Sequence, residues 1–170
     1  MPARDAIRSM CREFVLNTIG GSIFLPFKAR NVVLKIGGVE SKGATVLPGQ
    51  KFISGGKVHL GAGAYINHGC LFDSAASITL GEQVAVGPRV SFITSSHEID
   101  SNPEHRSGPH AHRPISVGAG TWIGAGVIIL PGVTIGASCV IAAGSLVTKD
   151  CSPNGLYMGT PARRVRELTA

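Results

Sequence analysis

Large rings are scarce in this sequence. Phe, Trp and Tyr together make 5% of its 170 residues, which excludes a core built on bulky aromatic packing. Apolar residues still make 44%, which excludes a disordered chain. Charged residues are only 15%, and no run approaches the roughly 18 apolar residues of a membrane span. The apolar stretches near the N-terminus are short and broken by Arg12, Glu13 and Lys28, so they do not read as a signal peptide. Four cysteines, Cys11, Cys70, Cys139 and Cys151, form no CxxC motif and no dense framework. They read as reduced thiols in a cytoplasmic protein. The net charge is +6, yet no zinc-finger spacing and no basic patch interleaved with stacking aromatics accompanies it. No nucleic-acid partner is expected. A phosphorylated cofactor or an anionic surface remains to match the charge.

What the sequence has is glycine, 23 residues of it, and a period of six. VGAGTW, IGAGVI, ILPGVT, IGASCV, IAAGSL and VTKDCS run without a gap from Val117. LGEQVA, VGPRVS and FITSSH precede them from Leu80, and LGAGAY, INHGCL and FDSAAS run from Leu60. Each unit opens on an aliphatic or Phe. All twelve fifth positions are small or Val, and eight of the twelve second positions are Gly, Asn or Asp. Six is the period neither of a helix nor of simple strand alternation. It suits a short strand and a corner, repeated, with the large residue inward and the small one in a tight inner slot. The second position is expected to carry the positive φ of the bend. Stacked coils then pair backbone to backbone at roughly 4.8 Å, giving an all-β parallel solenoid. Cys70, Cys139 and Cys151 fall in the small slot, where packing is their expected job.

The ends differ from the repeats. Over residues 4–19, Ile7, Met10, Cys11, Phe14 and Val15 recur at helical spacing, with Arg4, Arg8 and Arg12 on another face. This predicts an amphipathic helix in an N-terminal segment, residues 1–30, packed on the first coil to cover an open sheet edge. A basic amphipathic helix also suits peripheral contact with an anionic membrane. Residues 31–59 read as a degenerate start of the solenoid, which runs over 31–159. Residues 160–170 read as a short basic helix with Arg163, Arg164 and Arg166, a cap or a phosphate-binding tail.

The metre breaks once. A polar loop over residues 98–114 is thrown out of the stack, and His105, His110 and His112 lie in it with His97 at its root. Coils bury their side chains or present flat faces, whereas a protruding loop lets groups converge.

The repeats together with SSHEID, RPISVGAGTWIGAGVIILPGVTIG, AAGSLVTKD and GTPARRV resemble the hexapeptide-repeat acyltransferases. The nearest in kind are the galactoside, maltose and nodulation-factor O-acetyltransferases and the small acyltransferases of exopolysaccharide assembly. The likeness covers about residues 58–168, and the first 50 residues depart from the maltose-type pattern. It implies a left-handed β-helix, a homotrimer with active sites shared between neighbours, and acetyl transfer from acetyl-CoA to a hydroxyl of a sugar or glycan. His97 matches the family's general base. Asn67 matches an acceptor-binding asparagine, with Tyr65 and Asp73 as further candidates for that pocket. Trp122 matches a residue flanking the pantetheine arm. Backbone at Ala125 would stabilise the oxyanion, and backbone at Ala143 would bind pantetheine amides. Thr148, Lys149, Arg163 and Arg166 match positions near the adenosine and its phosphates. Glu98, Asp100 or a backbone carbonyl could orient His97.

Three rivals share the scaffold. An N-acyltransferase of amino sugars would use the same base and groove. A γ-class carbonic anhydrase would need three rigid histidines, and His68, His105 and His110 only imitate that set, so no metal is expected. A non-catalytic trimer would need neither His97 nor the basic tail.

Overall fold

The computed structural model describes residues 3–169, and the side chains of residues 1–6 and of Phe27 lie outside the described set, Arg4 among them. The hexapeptides form a left-handed parallel β-helix of triangular section: five full coils and the start of a sixth. Its first face stacks Val39–Ser41, Val58–Leu60, Ile78–Leu80, Ile115–Val117 and Thr134–Ile135. The second stacks Thr45–Val46, Tyr65–Ile66, Ala85–Val86, Trp122–Ile123, Val140–Ile141 and Gly155–Gly159. The third stacks Lys51–Ile53, Leu71–Asp73, Ser91–Ile93, Ile128–Ile129 and Leu146–Val147. Partners lie 20 positions apart early in the stack (Tyr65 with Ala85) and 18 apart later (Trp122 with Val140). Ile78 still pairs with Ile115 across the interruption, so the coils resume in register.

The core follows the metre. Every first position of the twelve hexapeptides is at most 2% exposed. Of the fifth positions, only Ala76, at the slip before the third coil, and Ser96, at the interruption, escape burial. Phe52, Phe72 and Phe92 stand one above another on the third face, with centroids 4.9 and 5.1 Å apart. Such stacked rings contribute about 0.5–1.5 kcal/mol per pair beyond their burial. Burial pushes the Cys70 thiol up to about 11 and the Cys151 thiol up to about 12, as the packing role requires.

The glycines divide their work differently from the expectation. Positive φ falls on the fourth position, at Gly63, Gly69, Gly120, Gly126, Gly132 and Gly144, and even at Gln83, Arg89 and Ser138. Glycine at the second position answers another need, the close approach of neighbouring coils. A Cβ on Gly81 would stand 2.7 Å from the backbone nitrogen of Ala119, and one on Gly87 would stand 2.7 Å from that of Ala125.

At the N-terminus, helix α1 (Ala3–Phe14) runs into a wider π-turn (Val15–Ile19), and helix α2 (Phe27–Ile36) follows. Residues 31–36 are therefore helix, and the solenoid starts at Val39. Pro26 opens α2, and Gly38, at φ 78°, closes it. The cap covers the open edges of the first coil with side chains. Asn17 donates to the Phe52 carbonyl and accepts from the Phe52 N–H, at 2.9 and 2.7 Å, standing in for a strand neighbour. Arg30 is 4% exposed and donates to the carbonyls of Gly20, Ser22, Leu25 and Val46. Leu16 and Leu34 seal the end. The face of α1 that turns inward is the wrong one for the sequence expectation: Arg12 donates to the carbonyls of Gly37 and Gly56, while Ile7, Met10 and Phe14 point outward, each at least 60% exposed. Amphipathicity reports two faces but not which one meets the protein.

The C-terminal segment corrects a second expectation. Residues 160–170 hold no helix among those described: Ala162–Glu167 is a strand, antiparallel to Gly155–Gly159. Gly155–Gly159 extends the second face by pairing with Val140–Ile141 and would leave its outer backbone groups open. The arginine-rich strand covers them.

Candidate active site

The interruption is a built element. Ser95–Ile99 and Ser107–His112 form a two-stranded antiparallel ribbon in which His97 faces His110. The sequence hid this, because the Ser, Pro, Gly and His of the segment carry no strand-like alternation. His97 thus stands on the ribbon, beyond the last coil strand Ser91–Ile93, and its rigidity comes from the ribbon's foot. Thr94 is fully buried, donates through its hydroxyl to the Asp73 carbonyl and accepts from the Ala76 N–H. The Thr94 carbonyl accepts from Arg113 N at 2.9 Å, which closes the two feet together.

Asp73, expected in the acceptor pocket, is 4% exposed and engaged through both oxygens. It accepts from the Ser54 hydroxyl at 2.9 Å and from the Ser95 hydroxyl. Its place in the fold is to hold the ribbon's first residue.

His97 is exposed, and its Nδ1 lies 2.7 Å from the Gly108 carbonyl. A carbonyl only accepts, so Nδ1 carries the proton and Nε2 keeps a free lone pair. The orienting group is therefore backbone, from the opposite strand, and neither Glu98 nor Asp100. The His110 ring lies 4.3 Å from the His97 ring, and His112 follows at 5.8 Å from His110. A cleft of about 280 Å³ opens beside His97, lined by Ser96, Glu98, Ile99, Ala111, Arg113, Leu130, Pro131 and Thr148. Thr148, expected near the adenosine, shares this cleft with His97.

Apart from Lys149, which follows Thr148 directly, the remaining expected residues lie on another side of the prism. Tyr65 and Trp122 occupy one row of the second face, and register carries that row through Ala85, Val140 and Leu156 to Arg166. Five steps of roughly 4.8 Å make it about 24 Å long. Tyr65 is 41% and Trp122 58% exposed. Asn67 begins the corner after the second face, and its side-chain oxygen accepts from the His68 N–H at 2.8 Å. Ala125 and Ala143 stack at that same corner, one coil apart, where the Ala125 carbonyl accepts from Gly144 N. Lys149 and Arg163 are exposed near the C-terminal end. Within one chain, then, His97, Thr148 and Lys149 sit at the corner that follows the third face, with Asp73 at the ribbon's foot, and the other expected contacts sit a full face away. Among the described residues, no three His, Cys, Asp or Glu side chains come together as a metal-holding group; His68, His105 and His110 stay apart.

An oriented imidazole on a ribbon anchored to the stack, above a cleft with no cysteine among its described lining residues, is equipped to move a proton during group transfer. Comparison with known proteins bears on which group. Residues 114–149 match the bacterial transferase hexapeptide (six repeats) family. The chain is 33% identical over 141 residues to galactoside O-acetyltransferase of Escherichia coli K12, covering 83% of this chain and 69% of that protein. It is 42% identical over 127 residues to nodulation protein L of Rhizobium meliloti, covering 74% and 68%. The solved hexapeptide-repeat acetyltransferase of Vibrio cholerae in complex with acetyl-CoA superposes with a TM-score of 0.88 at 30% identity, over 99% of this chain and 91% of that one. The chain belongs to the hexapeptide-repeat acetyltransferases. Its span varies from 55% to 69% of the length of the curated relatives it matches. The structural match runs through the N-terminal helices too, which the sequence pattern sets apart.

Proposed function

We propose that this chain transfers the acetyl group of acetyl-CoA to a hydroxyl of a sugar or glycan, with His97 as general base. The observation that carries the proposal is the bond between His97 Nδ1 and the Gly108 carbonyl, which leaves Nε2 as acceptor. A hydroxyl is a poor nucleophile at neutral pH. Nε2 takes its proton as the oxygen attacks the thioester carbon, and a C–O bond forms. The tetrahedral intermediate collapses with cleavage of the C–S bond, and the imidazolium returns the proton to the leaving thiolate. A thioester is already activated, so no covalent intermediate on the protein is required. Backbone N–H groups around Ala125 serve the oxyanion. The pantetheine arm follows the second-face row past Trp122 and Ala143, toward phosphates met by Lys149, Arg163 and Arg166. Acetyl-CoA bound to the Vibrio relative and the O-acetyl transfer named for the Escherichia relative support this choice of donor and acceptor.

The split of the site between two corners supports a homotrimer. A second copy whose second-face corner meets the first copy's ribbon joins Tyr65 and Asn67 of one to His97 of the other. A head-to-tail contact of this kind makes a ring when its rotation closes, and the closure we propose is a ring of three. Synthesis of acetyl-CoA inside cells makes the cytoplasm the fitting compartment, and no helix among the described residues is long and apolar enough to cross a membrane.

A screen of hydroxyl and amino acceptors with acetyl-CoA, read by free-thiol release, tests the assignment. His97→Ala is expected to lower kcat at least a hundredfold, on the order of general-base loss, with oligomer mass and CoA binding kept. A near-normal rate removes His97 from the mechanism. Preference for amino sugars moves the chain to N-acyl transfer.

A further inference from the structure

The N-terminal end departs from the rest of the molecule in two independent ways. Residues 1–57 contain nine basic and three acidic residues, and residues 58–170 contain seven of each. The whole net charge of +6 therefore belongs to the helical cap and the first coil. The same cap exposes Ile7, Met10, Phe14, Phe24, Val32 and Ile36, each by 59–88%. Ile7, Met10 and Phe14 form one stripe of α1, and Val32 and Ile36 lie one turn apart on α2. Scattered exposed apolar residues need no explanation, but a stripe this concentrated does.

The cap had an alternative. Turning the stripe inward would have buried it, yet Arg12, Leu16 and Leu34 make the inward contacts instead. The groove of about 980 Å³ behind α1 adds to the positive charge with Arg8, Arg12 and Lys57. The Arg12 Nη1 is buried there without a hydrogen-bond partner. Among the described residues lining the groove, the one carboxylate, Glu40, is engaged by His59 at 2.9 Å. Lys28 and Lys35 are exposed on α2.

We infer that this end of the molecule docks on an anionic lipid bilayer, the apolar stripe entering the boundary between headgroups and acyl chains while the basic groups meet lipid phosphates. Charge spread over two helices and a coil complements a field of mobile phosphates, where a single protein partner would be met by a compact, matched set. The inference stands apart from the role of His97 and survives its failure.

Vesicle flotation tests it, with phosphatidylcholine alone and with phosphatidylcholine mixed with phosphatidylglycerol. The full chain is expected to float with the mixed vesicles, to stay behind with the neutral ones, and to be released by salt. The triple variant Ile7→Asp, Met10→Asp, Phe14→Asp and the double variant Lys28→Glu, Lys35→Glu each lower the vesicle-bound fraction about tenfold or more. Acetyl transfer to a soluble acceptor and the oligomer mass stay unchanged in both. Failure to bind mixed vesicles overturns the inference, and so does equal binding to neutral ones. If the triple variant loses oligomer mass, the stripe is a contact between copies of this chain, and the membrane reading falls.

Discussion

Phe92 and His97 are five residues apart and live under different rules. Phe92 is sealed in a column with Phe52 and Phe72, in a coil whose every sixth residue repeats the same inward contact. His97 stands exposed on a ribbon that shares no period with the coils, held by one carbonyl and by a foot of buried hydroxyls. The coils gain rigidity by repetition, each pairing with the next. The ribbon gains it from a few unrepeated hydrogen bonds converging on Thr94, Ser95 and Asp73. Stability therefore belongs to the stack, and the proposed chemistry to its interruption.

Breaking the stack should have the largest effect. Gly81→Val puts side-chain atoms against the backbone of Ala119 in the next coil, where nothing flexible can yield. Folded protein is expected to be lost, as read by circular dichroism on the purified chain. Recovery of a cooperative melt near the parent's would show that neighbouring coils do not need this approach. His97→Ala, by contrast, should keep the parent's melt while losing its rate.

Ser95→Ala sharpens the contrast from the other side. It removes the hydroxyl that ties the ribbon's first residue to the buried Asp73. A fall in kcat of about tenfold is expected from loosened positioning, with the KM for acetyl-CoA unchanged and a melt lowered modestly by the unpaired Asp73 oxygen, far less than in Gly81→Val. A change in KM with kcat intact would give Ser95 a binding role.

The smallest effect is one of pH. The Cys70 thiol is held up to about 11 from an ordinary 9.0 by burial. The unfolded chain loses this proton first, so the contribution is full below pH 9 and is lost as pH rises toward 11. The melting temperature should decline across that window, and less steeply in Cys70→Ala once its own lower baseline is subtracted. An equal decline in both would assign the alkaline loss to other groups.

The coils were legible in the sequence because one physical demand recurs twelve times. The large inward residue holds throughout, from Leu60 to Val147, and the small slot holds through Cys151 except at Ala76 and Ser96. Which glycine does what was less legible. Second and fourth positions are both glycine-rich, and only the folded structure separates close approach at Gly81 from positive φ at Gly63. The capping segments misled for a related reason: each occurs once. The helix face with Ile7 and Phe14 looks like a core face, and Ala162–Glu167 has helix-favouring Arg and Glu, yet an open sheet edge claims it as a strand. At the candidate site, His97 was singled out through its neighbours in sequence. The Gly108 carbonyl that orients it was not, since a backbone group eleven residues away leaves no mark in the residue types.

The two feet of the ribbon stand a single hydrogen bond apart, Arg113 N to the Thr94 carbonyl, and Ile78 meets Ile115 as though nothing intervened. A segment inserted this way is a cassette. Its length and sequence can change while the prism beneath it keeps its geometry, so under the proposed function the surroundings of His97 are free to diverge without the coils having to be rebuilt.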